Sequence, residues 1–300
     1  MESIDKKRLA YIPNYSSQNK NISSASNTKD KAKDNTNEKG DNTTKDKQST
    51  PVANDKESLL TKKCKRCNRT FNIISKTMVY STNNSTCVYH WGKLRNVRVN
   101  KALEQKYSCC SGGINEEGCM FGKHVYDGDY DGNGIGSNID GYVETSESSQ
   151  KADSDSKVST NIYALDCEMC YTTKGLELAR VSIVDVNENE IYESLVKPDY
   201  EILDYNTRWS GLTEESLKNC NKKIKQVQSD LLKLFNKDTI LVGHSLDSDF
   251  KALKLIHRNV VDTTVVFPHK MGPPFKRALR NLMSEHLQKI IQEDGELTRF

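Results

Sequence analysis

The chain has 300 residues, 35% hydrophobic and 28% charged, with a mean hydropathy of −0.73 and a formal net charge of +3. That is too polar for a chain folded throughout, so part of it is expected to lack a core. No run of about 18 apolar residues occurs, which excludes a membrane-spanning helix. The start, MESIDKKRLAYIPNYSS, has no apolar segment of signal-peptide length, so secretion is not expected.

The net charge hides a division along the chain. Residues 1–58 hold 11 Lys and Arg against 9 Asp and Glu, and residues 59–126 hold 12 against 3. Residues 127–160 hold 2 against 8, and residues 161–300 hold 19 against 21. The basic block is local. A basic face suits phosphate backbones, although a solvated Lys-rich surface has the same composition.

Residues 1–58 are an Asn/Lys/Ser-rich tail with almost no apolar residues, and disorder is expected there. Residues 59–126 carry paired metal-ligand types: Cys64-x2-Cys67, Cys87-x2-His90, Cys109-Cys110 and Cys119-x4-His124. In a chain without a secretory signal these spacings point to Zn²⁺ rather than disulfides. Six Cys and two His suffice for two tetrahedral sets, so one or two zinc ions are expected, and spacing does not say which ligand serves which metal. Cys167, Cys170 and Cys220 read as core cysteines. Asn-x-Ser/Thr sites at Asn68 and Asn84 are chance matches in an Asn-rich chain.

Residues 127–160 are rich in Gly, Ser and Asp and read as a flexible acidic linker. Asp127, Asp129, Asp131 and Gly132 imitate the start of an EF-hand loop, but the twelfth position is Asn138 and neither flank has a helical pattern.

Residues 161–300 carry the apolar pattern of one α/β domain. Strands are expected at 162–169, 177–186, 190–198 and 239–245, with a further one beginning at 259. Ile224, Val227, Leu231, Leu234 and Phe235 recur at helical spacing, and helices are also expected at 247–257 and 274–291. Three adjacent strands followed by alternating helices and strands predict a mixed sheet flanked by helices.

Asp166 and Glu168 interrupt the apolar strand IYALDCEM. Alternation puts both carboxylates on one face and Cys167 on the other. Two carboxylates so placed repel each other unless a cation lies between them, and oxygen-only ligation suits Mg²⁺ or Mn²⁺. A third carboxylate comes from GHSLDSDFKALKL, where a strand passes into a helix. Asp247 and Asp249 compete for the role. Asp247 reads as a helix cap, and Asp249, one turn further on, is better placed to face Asp166. Asp262 reads as the cap of the next helix.

The stretches ALDCEM, DYNTRWSGLT, GHSLDSDFKALKLIH and VVDTTVVFPH, followed by PPFKRALRNLM, closely resemble the Rex-type RNA exonucleases of the DEDDh superfamily, over about residues 161–292. The resemblance implies a ribonuclease H-like fold and a 3′→5′ exoribonuclease acting on the 3′ end of single-stranded RNA. It implies two divalent ions, with Asp166, Glu168 and Asp249 as catalytic metal ligands. Met169, Trp209, Leu212 and His244 become substrate-binding candidates, Trp209 and Leu212 by stacking on or wedging the terminal bases. Nuclear residence is implied too, and is compatible with the runs Lys6-Lys7-Arg8 and Lys62 to Arg66.

The family's third motif, a His followed after four residues by Asp, has no counterpart. The chain reads IIQEDGELTRF at its end, and His286 is followed five places later by Ile291. The fold is therefore expected to be incomplete at its C-terminus, with three of four carboxylates and no general base; His244, His257 and His286 are unsupported as substitutes. The alternative reading is a catalytically impaired RNA- or protein-binding chain. Upstream, Cys-x2-His, Cys-Cys and Gly-Cys-x4-His resemble the CHORD-type zinc module, which makes a protein partner conceivable through that block, while the first pair, Cys-x2-Cys, departs from it.

Overall fold

A computed structural model of the protein describes residues 58–128, 141–147 and 161–292. The expected disorder of 1–58 therefore lies almost wholly outside the described residues, as does most of the EF-hand-like stretch.

The basic block folds as short hairpins. Strands β1 (Leu59–Lys63), β2 (Thr70–Ile74) and β3 (Val79–Tyr80) form one antiparallel sheet. β4 (Cys87–Tyr89) pairs with β7 (Met120–Gly122), and between them β5 (Leu94–Val99) pairs with β6 (Ala102–Tyr107). Phe71, Ile73 and Tyr126 form its small core with Cys64 and Cys87. So few apolar groups are a thin core for a segment of this length.

The last segment is built on a mixed sheet. β9 (Ile162–Thr172), β10 (Gly175–Asp185) and β11 (Glu190–Leu195) run antiparallel, and β12 (Ile202–Asp204) pairs with the far end of β9. β13 (Ile240–Gly243) and β15 (Val260–Asp262) extend the sheet in parallel on the other side of β9. The order β11-β10-β9-β13-β15 and the helices packed against it match the α/β expectation. Helices α3 (Ile224–Leu234) and α4 (Asp247–Leu253) bury Val227, Leu231 and Leu253 with Leu165, Cys167, Val181 and Ile183. The short helices α1 (Thr207–Ser210) and α2 (Glu214–Lys218) frame a second cluster of Cys170, Ala179, Leu212 and Leu217.

One expectation needs correction. The helix expected over 274–291 is confined to α6 (Leu279–Leu282) and a π-turn (Met283–Leu287), after α5 (Thr263–Val266). Gln288 takes a left-handed conformation that ends the helix, and Leu287 and Ile290 stay 58% and 71% exposed. Leu282 is the buried residue of α6, and past it helical periodicity without a surface to pack on does not hold a long helix. Of the acidic linker, 127–128 and 141–147 are described, and these hold a short strand. Within it, β8 (Val143–Glu144) pairs in parallel with β14 (Leu255–Ile256). Thr145 Oγ1 lies 2.8 Å from the buried His257 Nδ1, whose Nε2 lies 2.8 Å from the Thr239 carbonyl.

The hairpin block docks on the sheet. Arg66 pairs with Asp204 at 2.7 Å, and its guanidinium lies between the Tyr89 and Tyr171 rings, 4.6 and 5.3 Å from their centroids. Tyr126 donates its hydroxyl to the Thr173 carbonyl at 3.1 Å, and Leu176 N donates to Asp127 O at 3.2 Å. At this seam Gly175 (φ 111°) approaches Gly128 so closely that a Cβ on it would lie 2.4 Å from the Gly128 Cα. A side chain there would push the two parts away from each other.

Candidate active site and candidate metal centres

The register of β9 against β10 sets Asp166 opposite Ser182 and Glu168 opposite Arg180, while Cys167 faces Val181 and the core. The two carboxylates thus share one face. Asp249, 4% exposed, enters from α4 and accepts a hydrogen bond from the backbone N–H of Cys167 at 2.9 Å. Asp247 is engaged elsewhere: Lys276 Nζ lies 2.6 Å from its Oδ1.

Burial drives all three groups upward, and the Asp166 charge adds to it at Glu168 and Asp249. Burial raises Asp166 to about 6, against the opposing pull of Arg180. Glu168 rises to about 7 through burial and the Asp166 charge, and Asp249 reaches about 7 for the same two reasons. One buried and two half-buried acids that resist ionising together form a site that added positive charge would stabilise. Hard oxygen donors of this kind fit Mg²⁺ or Mn²⁺.

Arg180 was not singled out in the sequence. It acts on both Asp166 and Glu168 and pairs with Glu193 at 3.0 Å. A cation interrupting the apolar run ELARVSIV is the same kind of signal that marks Asp166.

The remaining candidates separate by exposure. Trp209 is 62% exposed and open to a base, whereas Leu212, 4% exposed, is packed into the core beside Cys170. Met169 packs against the main core. His244 Nδ1 lies 2.8 Å from Thr263 Oγ1, and that hydroxyl donates to the Gly243 carbonyl at 3.0 Å. Burial lowers the His244 pKa, which favours the neutral ring.

Asp262 caps α5 through Thr264 N at 2.8 Å and also accepts from Ser245 N at 2.9 Å and Leu246 N at 3.0 Å. It therefore braces the turn that delivers Asp249. Asp262→Ala is expected to destabilise the protein by about 2–4 kcal/mol, because a cap and two further N–H groups lose their acceptor. A denaturant melt showing a change below about 0.5 kcal/mol, within the range of an ordinary surface substitution, would remove this role.

The eight Cys and His ligands separate into two sets. Cys64, Cys67, Cys87 and His124 converge in one; His90, Cys109, Cys110 and Cys119 converge in the other. In the first, Cys64 Sγ lies 3.7 Å from Cys87 Sγ and Cys67 Sγ lies 3.3 Å from His124 Nδ1. In the second, His90 Nδ1 lies 3.6 and 3.4 Å from the Cys109 and Cys110 sulfurs, and Cys109 lies 3.6 Å from Cys119. Zn–S bonds of about 2.3 Å give tetrahedron edges of about 3.8 Å, so both sets fit zinc.

Each histidine is oriented from behind. His124 Nε2 lies 3.4 Å from Ser85 Oγ and His90 Nε2 lies 3.3 Å from the Glu116 carbonyl, which leaves Nδ1 for the metal. Their rings stack on Phe71 and Tyr107 at 5.6 and 3.8 Å.

A family profile described as Exonuclease matches residues 163–271, the segment that holds all three carboxylates. Over 209 residues the chain is 49% identical to "RNA exonuclease 1 homolog" of Homo sapiens, covering 69% of this chain and 16% of that protein. It is 50% identical over 138 residues to "RNA exonuclease 1" of Saccharomyces cerevisiae, covering 46% of this chain and 25% of that protein. "RNA exonuclease 3" of Schizosaccharomyces pombe is 35% identical over 211 residues, 69% of this chain and 37% of its own length. The chain therefore spans well under half the length of these relatives. Nucleases of the Exonuclease family use divalent metal, for which the acidic face has suitable donors. With this sheet, this acidic face and these matches, the chain carries an exonuclease-family domain and is a relative of the Rex-type RNA exonucleases of the DEDDh superfamily.

Proposed function

We propose that the chain is a 3′→5′ exoribonuclease that hydrolyses single-stranded RNA from its 3′ end, in RNA processing or turnover in the nucleus. The observation that carries this reading is the set of three acids, Asp166 and Glu168 on one face of β9 and Asp249 bonded to the Cys167 N–H between them, with the Asp166 charge acting on both of the others. These residues would hold two Mg²⁺ or Mn²⁺ ions. Cations held there would supply positive charge to the scissile phosphate and to the attacking water. The protein's own part is positional. Asp249 is fixed by Cys167 N–H, Arg180 sits beside Glu168, and the exposed Trp209 offers a face on which a base can stack. The zinc centres are structural in this reading, since each has four protein ligands and no open position.

The test is a 5′-labelled single-stranded RNA incubated with Mg²⁺ or Mn²⁺. The proposal expects a ladder shortening from the 3′ end that disappears with Asp166→Asn. Internal cuts, or trimming indifferent to that substitution, would overturn it.

One observation favours a slow enzyme. The electrostatic neighbours of the three acids are one another, Arg180, Cys167 and Ser248, and none of the described histidines is among them. His257 is bound between Thr145 and Thr239, and His286 lies beside Glu285. Without a general base, trimming by the polypeptide 1–300 is expected to run about 10²–10⁴-fold below a complete site. Single-turnover rates against a homologous domain that supplies a His-x4-Asp pair measure this directly.

A further inference from the structure

The hairpin β5–β6 is an arm with no structural use for its charge. It carries Lys93, Arg95, Arg98, Lys101 and Lys106 against one acid, Glu104. Elsewhere in the same block Lys65, Arg66 and Lys123 each pair with a carboxylate across the molecule. On the hairpin, among the described residues, only Lys106 has such a pair, with its neighbour Glu104. Lys93, Arg95, Arg98 and Lys101 are exposed and have none. The arm buries little: Val97 is 42% exposed and Leu103 69%. A two-stranded hairpin of this kind is marginal alone. It is held at its base by the second zinc set, where Tyr107 stacks on His90.

That base is continuous with the nuclease. Trp91 follows the ligand His90, the Arg208 guanidinium lies over its ring at 3.8 Å, and the Trp209 ring meets it edge-on at 6.3 Å. An aromatic and guanidinium patch thus runs from the zinc block to the exposed Trp209. The nuclease segment has an acidic excess, and its three carboxylates repel a polyanion at the point where RNA must enter. Attraction for the RNA has to come from elsewhere.

We propose that the hairpin β5–β6 and Trp91 form a binding surface for single-stranded RNA, holding the strand on the 5′ side of the end presented to the acidic face. Its cations would meet phosphates, and the Trp91–Trp209 patch would carry bases. This rests on the exonuclease reading for the direction of the strand, but not for the binding itself.

The test uses the full chain with Asp166→Asn, so that RNA is bound and not consumed, and a 5′-fluorescein 20-mer of uridine read by anisotropy across a salt series. The triple change R95E/R98E/K101E, on exposed residues, is first checked for unchanged zinc content and circular dichroism. It is expected to weaken binding at least tenfold. It should also flatten the slope of log K against log salt by about 2, the loss of three contacts at about 0.7 each on a single strand. Trp91→Ala should lower the affinity about fivefold or more and leave that slope unchanged. Native-like affinity and slope in both variants would overturn the proposal and leave an acidic protein surface as the arm's partner. The two readings fail separately. If unsubstituted protein releases no nucleotides while the 20-mer binding still depends on the hairpin, the exonuclease reading falls and the RNA surface stands.

Discussion

Asp166→Asn is expected to abolish RNA trimming and, in the same protein, to raise the melting temperature measured without added Mg²⁺. The two effects share one cause. Burial holds Asp166 at about 6 and, with the Asp166 charge, holds Glu168 and Asp249 at about 7. An acid whose pKa is raised on folding holds its proton more tightly in the folded state. Its stabilising contribution is full below the unfolded value near 4 and is lost as pH rises through 6 to 7. At pH 8 the metal-free site is a set of repelling charges, and removing one is worth about 1–3 kcal/mol. Bound Mg²⁺ reverses the sign, so its stabilisation of the native protein should grow between pH 6 and pH 8 and be much smaller in Asp166→Asn. Thermal melts at both pH values, with and without Mg²⁺, give the answer. A variant that melts below the native protein at pH 8, or Mg²⁺ stabilisation that shrinks as pH rises, would sink this account of the acidic face.

Zinc removal is expected to have the larger structural effect. Cys64, Cys87 and His124 are all 0% exposed, and the core around them contains only a few other apolar groups. Such a block has little apolar burial to fold on alone, so zinc bound by the two sets would supply its free energy of folding. Its loss should spread to the nuclease segment, because Tyr126 and Asp127 hold the β9–β10 turn and Arg66 holds β12. The purified protein should release two zinc equivalents per chain on thiol modification. Cys87→Ser should unfold the block, whereas Cys119→Ser, at an exposed ligand of the second set, should mainly loosen the β5–β6 arm. Protein containing no zinc, with circular dichroism unchanged by a chelator, would contradict this.

What the sequence made legible follows from physical period. Asp166 and Glu168 stand out because two acids break an apolar strand at spacing 2, and α3 because its apolar residues recur on one helical face. The Cys and His types were legible from local pairs, but their partition was not. His90 belongs with Cys109, Cys110 and Cys119, while His124 returns to Cys64, Cys67 and Cys87. Hairpin pairing such as Cys87 opposite Gly122 brings remote residues together, and spacing carries no record of it. The strap at 143–144 was hidden for a related reason. A two-residue strand has no period, and its partner lies more than a hundred residues away at Leu255 and Ile256. The 274–291 segment misled in the opposite direction, with a helical pattern whose apolar face is covered at Leu282 but left open at Leu287 and Ile290.

The most direct test of the central claim is anomalous diffraction from crystals of the protein soaked in Mn²⁺. The account predicts Mn²⁺ peaks ligated by Asp166, Glu168 and Asp249 beside β9, absent from Asp249→Asn crystals treated in the same way. Mn²⁺ bound elsewhere, with this acidic face left unliganded at neutral pH, would contradict it.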